Sequence, residues 1–267
     1  MITADSLMAQ GIRAAVRRGR AAARLVFGGA VAWSVVACNP TAAPSTAPAP
    51  TQVNAQRANA FLDTLQQRTF QWFWDTTDPR TGLTPDRWPT RTFSSVAAIG
   101  FALTAYPIGV ERGYVTRTAA AERTLSTLRF LWQLPQGETA TGVAGYKGFF
   151  YHFLDYDRGL RFEKVELSTI DTSLLLAGAL FCQSYFTGSA PAEVSVRAYV
   201  DSLYRRVEWT WPRNRAPAIN MGWKPEEGLL PFDWRGYNEA MIVYILALGS
   251  PTHPVEPAAV SPHSLGP

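Results

Sequence analysis

Ile170-Asp171-Thr172-Ser173-Leu174-Leu175-Leu176-Ala177-Gly178-Ala179-Leu180-Phe181-Cys182-Gln183-Ser184-Tyr185-Phe186 is the stretch that decides the fold. Past its first turn the apolar side chains go nearly all round a 3.6-residue period, so a helix here must be buried on most sides. It needs neighbours, and the flanking sequence provides them. Upstream, Ala121, Leu125, Leu128 and Trp132 follow Thr118 at helical spacing. Before that, Ser94 is a good N-cap for a helix carrying Ile99 and Leu103, which Pro107 should interrupt. A first helix sets Ala58, Phe61, Leu65 and Trp72 on one face. Downstream, Ser189-Ala190-Pro191 puts proline in a first turn, where its missing N–H costs least, ahead of a face of Val196, Tyr199, Leu203 and Val207. A sixth helix from about Asn238 to Leu248 should stop at Gly249, read as a C′ glycine. The fold class is all-α.

The ends of the chain read differently. Residues 1–38 have the form of a lipoprotein signal peptide: Arg13, Arg17, Arg18, Arg20 and Arg24, then an apolar run from Leu25 to Ala37, then Val35-Val36-Ala37-Cys38. The run is too short for a spanning helix, which needs roughly 20 residues. Cys38 is the expected lipidation site and would hold the protein to a membrane. Asn39 after it favours the periplasmic side of the outer membrane over inner-membrane retention. Residues 39–55, Pro/Ala/Thr-rich and without a single charge, read as a tether. The domain is assigned to 56–254, and the proline-spaced segment 255–267 to a disordered tail.

Charge excludes one class of partner. The chain carries +4 overall, but the leader alone holds five Arg and one Asp, leaving 20 basic and 20 acidic residues in the remainder. With no net positive charge outside the signal, nucleic acid is not an expected partner. Gly145-Tyr146-Lys147-Gly148 lacks P-loop spacing, no Gly-x-Ser-x-Gly elbow occurs, and His152, His253 and His263 are not spaced as metal ligands, so no cofactor or metal is expected. Cys182, with no partner once Cys38 is lipidated, reads as an inert buried thiol.

Two connections are too long for helix–helix turns, and long ordered loops on a helical scaffold are where binding and catalysis concentrate. Gly142 to Leu167 alternates aromatic and polar residues, which suggests a short β-hairpin or extended loop. It contains Tyr146, Tyr151, His152, Asp155 and Asp157, with Glu166 and Asp171 just after. Arg213 to Tyr237 leads to Trp223, Glu226, Glu227, Asp233, Trp234, Tyr237 and Glu239 within seventeen residues.

At these loops the sequence resembles a known family. Phe93-Ser94-Ser95-Val96-Ala97-Ala98-Ile99-Gly100-Phe101, Glu166-Leu167-Ser168-Thr169-Ile170-Asp171-Thr172, Met221-Gly222-Trp223 and Trp234-Arg235-Gly236-Tyr237-Asn238-Glu239-Ala240-Met241 are similar to the glucoamylase-like domain of bacterial exported proteins, a family that includes endo-β-1,2-glucanases. The resemblance runs from about residue 57 to Pro254. It implies an (α/α)6 toroid of twelve helices with a sugar cleft at one end, of which about the first six are present, so the chain reads as a truncated or frame-shifted member. It also implies a glycoside hydrolase acting on a glucan polysaccharide or oligosaccharide, with β-1,2-glucan as the substrate class.

Glycoside hydrolysis needs two carboxyl groups flanking the scissile bond. Glu239, at a helix start, is the first candidate for the acid, although a helix N-terminus favours the ionised form that an acid must avoid; its bland alternative is a capping role. Glu226 is the second catalytic candidate, weighed against an exposed loop acid. Trp223, Trp234 and Tyr237 are expected to meet sugar rings. Asp171 and Glu166 are candidate substrate-binding carboxylates, the one weighed against a helix-start acid and the other against a salt bridge to Lys164 or Arg161. A base from the opposite side of the ring would leave this chain inactive alone. The competing readings are a surface lipoprotein that binds glycan without cleaving it and an inactive fragment.

Overall fold

The computed structural model of the protein describes residues 52–257 other than Asn214. The expectations for 1–38 with Cys38, for most of 39–55 and for 258–267 lie outside the described residues. Within them run α1 (Gln52–Thr76), β1 (Phe93–Ser95), α2 (Val96–Glu111), α3 (Arg117–Gln133), β2 (Gly145–Tyr146), β3 (Phe149–Phe150), β4 (Phe153–Asp155), β5 (Leu167–Ser168), α4 (Thr169–Tyr185), α5 (Pro191–Arg206), β6 (Gly222–Lys224), β7 (Gly228–Leu229) and α6 (Met241–Leu248). Six helices carry the core, as expected. Small antiparallel sheets pair β1 with β4, β2 with β3, and β6 with β5 on one side and β7 on the other.

Helix α4 sits at the centre, packed on α2, α5 and α6. Its closest approach is to α2, and glycines make it possible. A Cβ on Gly178 would lie 2.1 Å from the carbonyl oxygen of Gly100, and one on Gly100 would lie 2.3 Å from that of Leu174. The two backbones therefore touch with no side chain between them.

Pro107 does not interrupt α2, which continues to Glu111 with the proline inside. A proline removes the N–H that would bond the carbonyl four residues earlier, here that of Leu103. The thiol of Cys182 on α4 donates to that carbonyl at 3.1 Å. Burial pushes the Cys182 thiol up to about 12, consistent with an inert group. The cap of α2 is Ser95 rather than Ser94; its hydroxyl accepts from the Ala98 N–H at 3.3 Å.

Helix α1 departs from its pattern. Phe61 and Leu65, expected to face the core, are 65% and 51% exposed, and the buried aromatic is Phe70. The helix packs on α2 around Phe70, which lies against Tyr114 at a centroid distance of 5.3 Å. Trp132 of α3 is also exposed, at 40%, with the Arg206 guanidinium over its ring. Helix α6 starts at Met241, later than expected, and Gly249 ends it with φ −80°, not in the left-handed region of a C′ glycine. Val255 and Glu256, assigned to a disordered tail, make specific contacts: Val255 is buried with its N–H on the Ala247 carbonyl, and Glu256 is paired with Arg213 at 2.6 Å.

The strands serve the helices by position. β1 runs straight into α2 and β5 straight into α4, with Ser95 and Ser168 capping the two N-termini. The expected hairpin is present as β2–β3, turned at Lys147 (φ 52°) and Gly148 (φ 84°), where positive φ favours glycine at the second position. A second hairpin, β6–β7, occupies the other long loop. The sheets thus gather at the N-terminal ends of α2 and α4.

Candidate functional site

His152 is the hub of this end of the molecule. It lies just before β4, its carbonyl accepting from the Val96 N–H at 3.1 Å and its N–H donating to the Glu166 carbonyl at 2.9 Å. These bonds hold it between the starts of α2 and α4. Its Nδ1 meets Glu166 Oε1 at 2.8 Å and its Nε2 faces Asp171 Oδ1 at 3.6 Å. Its ring stacks on Phe153 with centroids 4.0 Å apart.

The two carboxylates on either side have different surroundings. Asp171 is in the first turn of α4, its side chain 9% exposed, with the Ser168 hydroxyl donating to its Oδ2 and its own N–H bonded back to Ser168 Oγ at 3.2 Å. Burial raises its pKa, outweighing the nearby His152 charge and the Ser168 bond. Glu166 is a third exposed; burial opposes its charge, but the His152 hydrogen bond prevails and its pKa is lowered. For His152, burial disfavours the imidazolium, yet the Glu166 bond and the Asp171 charge more than compensate, and its pKa is raised. The result is a chain of three titratable groups, open to solvent through Glu166 and His152.

Glu226 is elsewhere in its chemistry. It accepts from both ends of the Arg161 guanidinium, at 2.8 and 3.1 Å, and this bond lowers its pKa. Arg161 has a side chain only 1% exposed, with further bonds to the carbonyls of Val165 and Ala140. Glu226 is thus the counter-ion of a buried arginine, with its own side chain 35% exposed. Arg161, one of the two partners weighed for Glu166, pairs with Glu226; the partner of Glu166 is His152. An open groove of about 570 Å³ is lined by Ala140, Thr141, Glu163, Lys164 and Glu226, with none of Glu166, His152 and Asp171 in its lining.

The tryptophans also move from their expected roles. Trp223 is 7% exposed, packed against Tyr146 and Trp211 with centroids at 5.2 and 5.8 Å. No ring face is left for a sugar. Trp234 is half-buried and its indole N–H donates to Thr169 Oγ1 at 2.9 Å. That bond ties the loop before α6 to the N-terminus of α4. On the same loop, Tyr237 is 91% exposed and Glu239 is exposed in the turn entering α6. The side-chain bond that organises this turn comes from Asn238, whose Oδ1 accepts from the Ala240 N–H at 2.9 Å, so Glu239 is not the cap.

The sequence puts His152 in the first long loop without naming its mates, and Ser168 is not among the residues singled out there. The Ser168-Thr169-Ile170-Asp171 spacing, a serine with an acid three residues on, was the available signal.

Comparison with known proteins follows the same outline. Residues 231–263, which include Trp234, Tyr237, Glu239 and α6, match a family described as "Putative glucoamylase". An exo β-1,2-glucooligosaccharide sophorohydrolase (non-reducing end) from Parabacteroides distasonis is 28% identical over 208 residues, 73% of this chain and 27% of that protein. The endo-β-1,2-glucanase of Chitinophaga pinensis, solved with sophorotriose and glucose, is similar with 27% identity and a TM-score of 0.67, over 76% of this chain and 49% of its own. A "putative glucoamylase" from Bacteroides fragilis gives 30% identity and a TM-score of 0.67, over 83% of this chain and 52% of its own. This chain therefore corresponds to about half of the toroidal fold in these solved structures, and to about a quarter of the curated relative.

Proposed function

We propose that this chain, a relative of the glucoamylase-like family, forms one side of a glycoside-hydrolase-type cleft that takes a β-1,2-linked glucan. The observation that carries the proposal is the Glu166–His152–Asp171 chain at the N-terminal ends of α2 and α4. A glycosidic cleft needs a carboxylate that stays ionised beside the sugar and a second carboxyl able to give up a proton. Glu166, kept ionised by His152 and partly open to solvent, suits the first role. Asp171, buried behind the imidazole, orients His152 through Nε2. Glu239, exposed on the loop that Trp234 ties to the same end, is the proposed proton donor, and Tyr237 beside it a proposed sugar contact. Glu226 is left to its structural pairing with Arg161.

The test is titration of β-1,2-linked glucooligosaccharides into the protein, followed by assay of reducing-end release. Binding and turnover are expected. Glu166→Gln and Glu239→Gln should each lower turnover by about a hundredfold or more with binding retained, and Glu239→Gln, whose side chain is exposed, should leave the melting temperature unchanged. Binding without turnover would favour a glycan-holding protein over an enzyme. No binding at any chain length sinks the reading.

The cellular placement proposed is a lipoprotein anchored through Cys38 on the periplasmic side of the outer membrane. Cys38→Ser should move the protein from the detergent phase to the aqueous phase on partition; an unchanged partition refutes the anchor.

A further inference from the structure

We infer that Trp88, backed by Arg91, is a sugar-stacking platform that extends the cleft beyond the His152 group; the inference rests on the glucan-binding reading of that site. Of the rings expected to stack on sugar, Trp223 is enclosed by protein and Trp234 is half-buried with its indole N–H on Thr169, whereas Trp88 is 52% exposed. It lies in a turn closed at its base by the Pro85–Ser94 bridge and by the Asp86 N–H on the Phe93 carbonyl at 3.2 Å. The Arg91 guanidinium lies over one face of the indole, 4.7 Å from the ring centroid. That contact holds the ring and leaves its other face to solvent. A large, half-exposed aromatic on a turn presents a flat apolar surface, and the flat C–H face of a glucosyl ring is a matching surface.

The turn is placed beside the charged group, not remote from it. The carboxylate of Asp86 acts electrostatically on His152. Phe93, at the end of the turn, lies against Phe153 with centroids 4.5 Å apart, and Phe153 stacks on His152 at 4.0 Å. His152, Phe153 and Phe93 are each partly exposed and run as a row of rings from Glu166 to the base of the Trp88 turn, where the Arg87 guanidinium lies over Phe93, 5.0 Å from its centroid. A glucan held at Glu166 would meet Trp88 one or more residues along its chain.

Calorimetric titration with β-1,2-linked glucooligosaccharides of increasing length tests this. In the wild type, affinity should rise with length once the oligosaccharide reaches the platform. Trp88→Ala should lower affinity for the long oligosaccharides roughly tenfold, leave the disaccharide unaffected, and keep the melting temperature, because the side chain is half in water. Trp88→Phe should recover most of the lost affinity, and Arg91→Ala should give an intermediate loss. A Trp88→Ala protein that binds every length as the wild type does overturns the platform while leaving the site reading intact. A wild type that binds no length overturns the site reading, and the platform with it.

Discussion

Glu166 and Asp171 stand five residues apart in sequence, yet their surroundings drive them in opposite directions. His152 lowers the pKa of Glu166 in spite of burial, while burial raises that of Asp171 in spite of His152. The Glu166–His152 pair has a definite consequence for stability. His152 is raised from 6.5, so its contribution is full below that value and is lost as pH climbs through the folded-state pKa. Glu166 is lowered from 4.5, so its contribution is present above that value and is lost as pH falls through the folded-state pKa. The pair is strongest between the two ordinary values. Thermal melts should therefore show a higher midpoint at about pH 5.5 than at about pH 8, and His152→Ala should flatten the difference. A wild-type profile as flat as the variant's would refute the pairing. Glu226 belongs to a different account. Glu226→Gln should lower the melting temperature, because the buried Arg161 loses its counter-ion, while leaving glycan affinity unchanged. Loss of affinity at constant stability would return Glu226 to the cleft.

At the scale of elements, the contact of α2 with α4 is decided by single atoms. Gly178 and Gly100 let the two backbones meet, and a methyl group at Gly178 would fall 2.1 Å from a carbonyl oxygen that has no freedom to yield. Gly178→Ala should cost about 1–3 kcal/mol in urea unfolding, through forced separation of the helices, despite the better helix propensity of alanine. A neutral or stabilising effect would mean that the helices part without penalty. The same interface explains why Pro107 is tolerated: the carbonyl it deprives is satisfied from the neighbouring helix by Cys182. A sequence rule that ends helices at proline considers only the helix's own bonds, and here the donor comes from 79 residues away.

Across the whole molecule, apolar side chains remain in water on several helices. Phe101 of α2, Phe181 of α4 and Ile245 of α6 are 52%, 43% and 58% exposed, in addition to Phe61, Leu62 and Leu65 of α1. Where such side chains adjoin in one patch they mark surface that other polypeptide or ligand covers. The described protein should bind a hydrophobic dye in its native state. Phe101→Ser with Phe181→Ser should reduce that binding while changing stability by only about 0.5 kcal/mol per site, since neither ring is buried. A cooperative loss of several times that amount would show that the two rings belong to the core.

How much of this was legible from the sequence depends on the range of the forces involved. The run from Ile170 to Phe186 determined a buried helix, Asp171 suited its start, and the periodicity of the other segments determined six helices, because backbone hydrogen bonding and side-chain spacing act within a few residues. The long loops stood out as the place for chemistry for the same local reason. Tertiary structure alone decided which acid answers to which base: Glu226 to Arg161, 65 residues away, and Glu166 to His152 across two strands. It alone buried Trp223 and exposed Trp88, and it alone left Phe61 and Leu65 in water. Burial and ion pairing are set by whatever the folded chain brings near, and sequence distance carries no record of that.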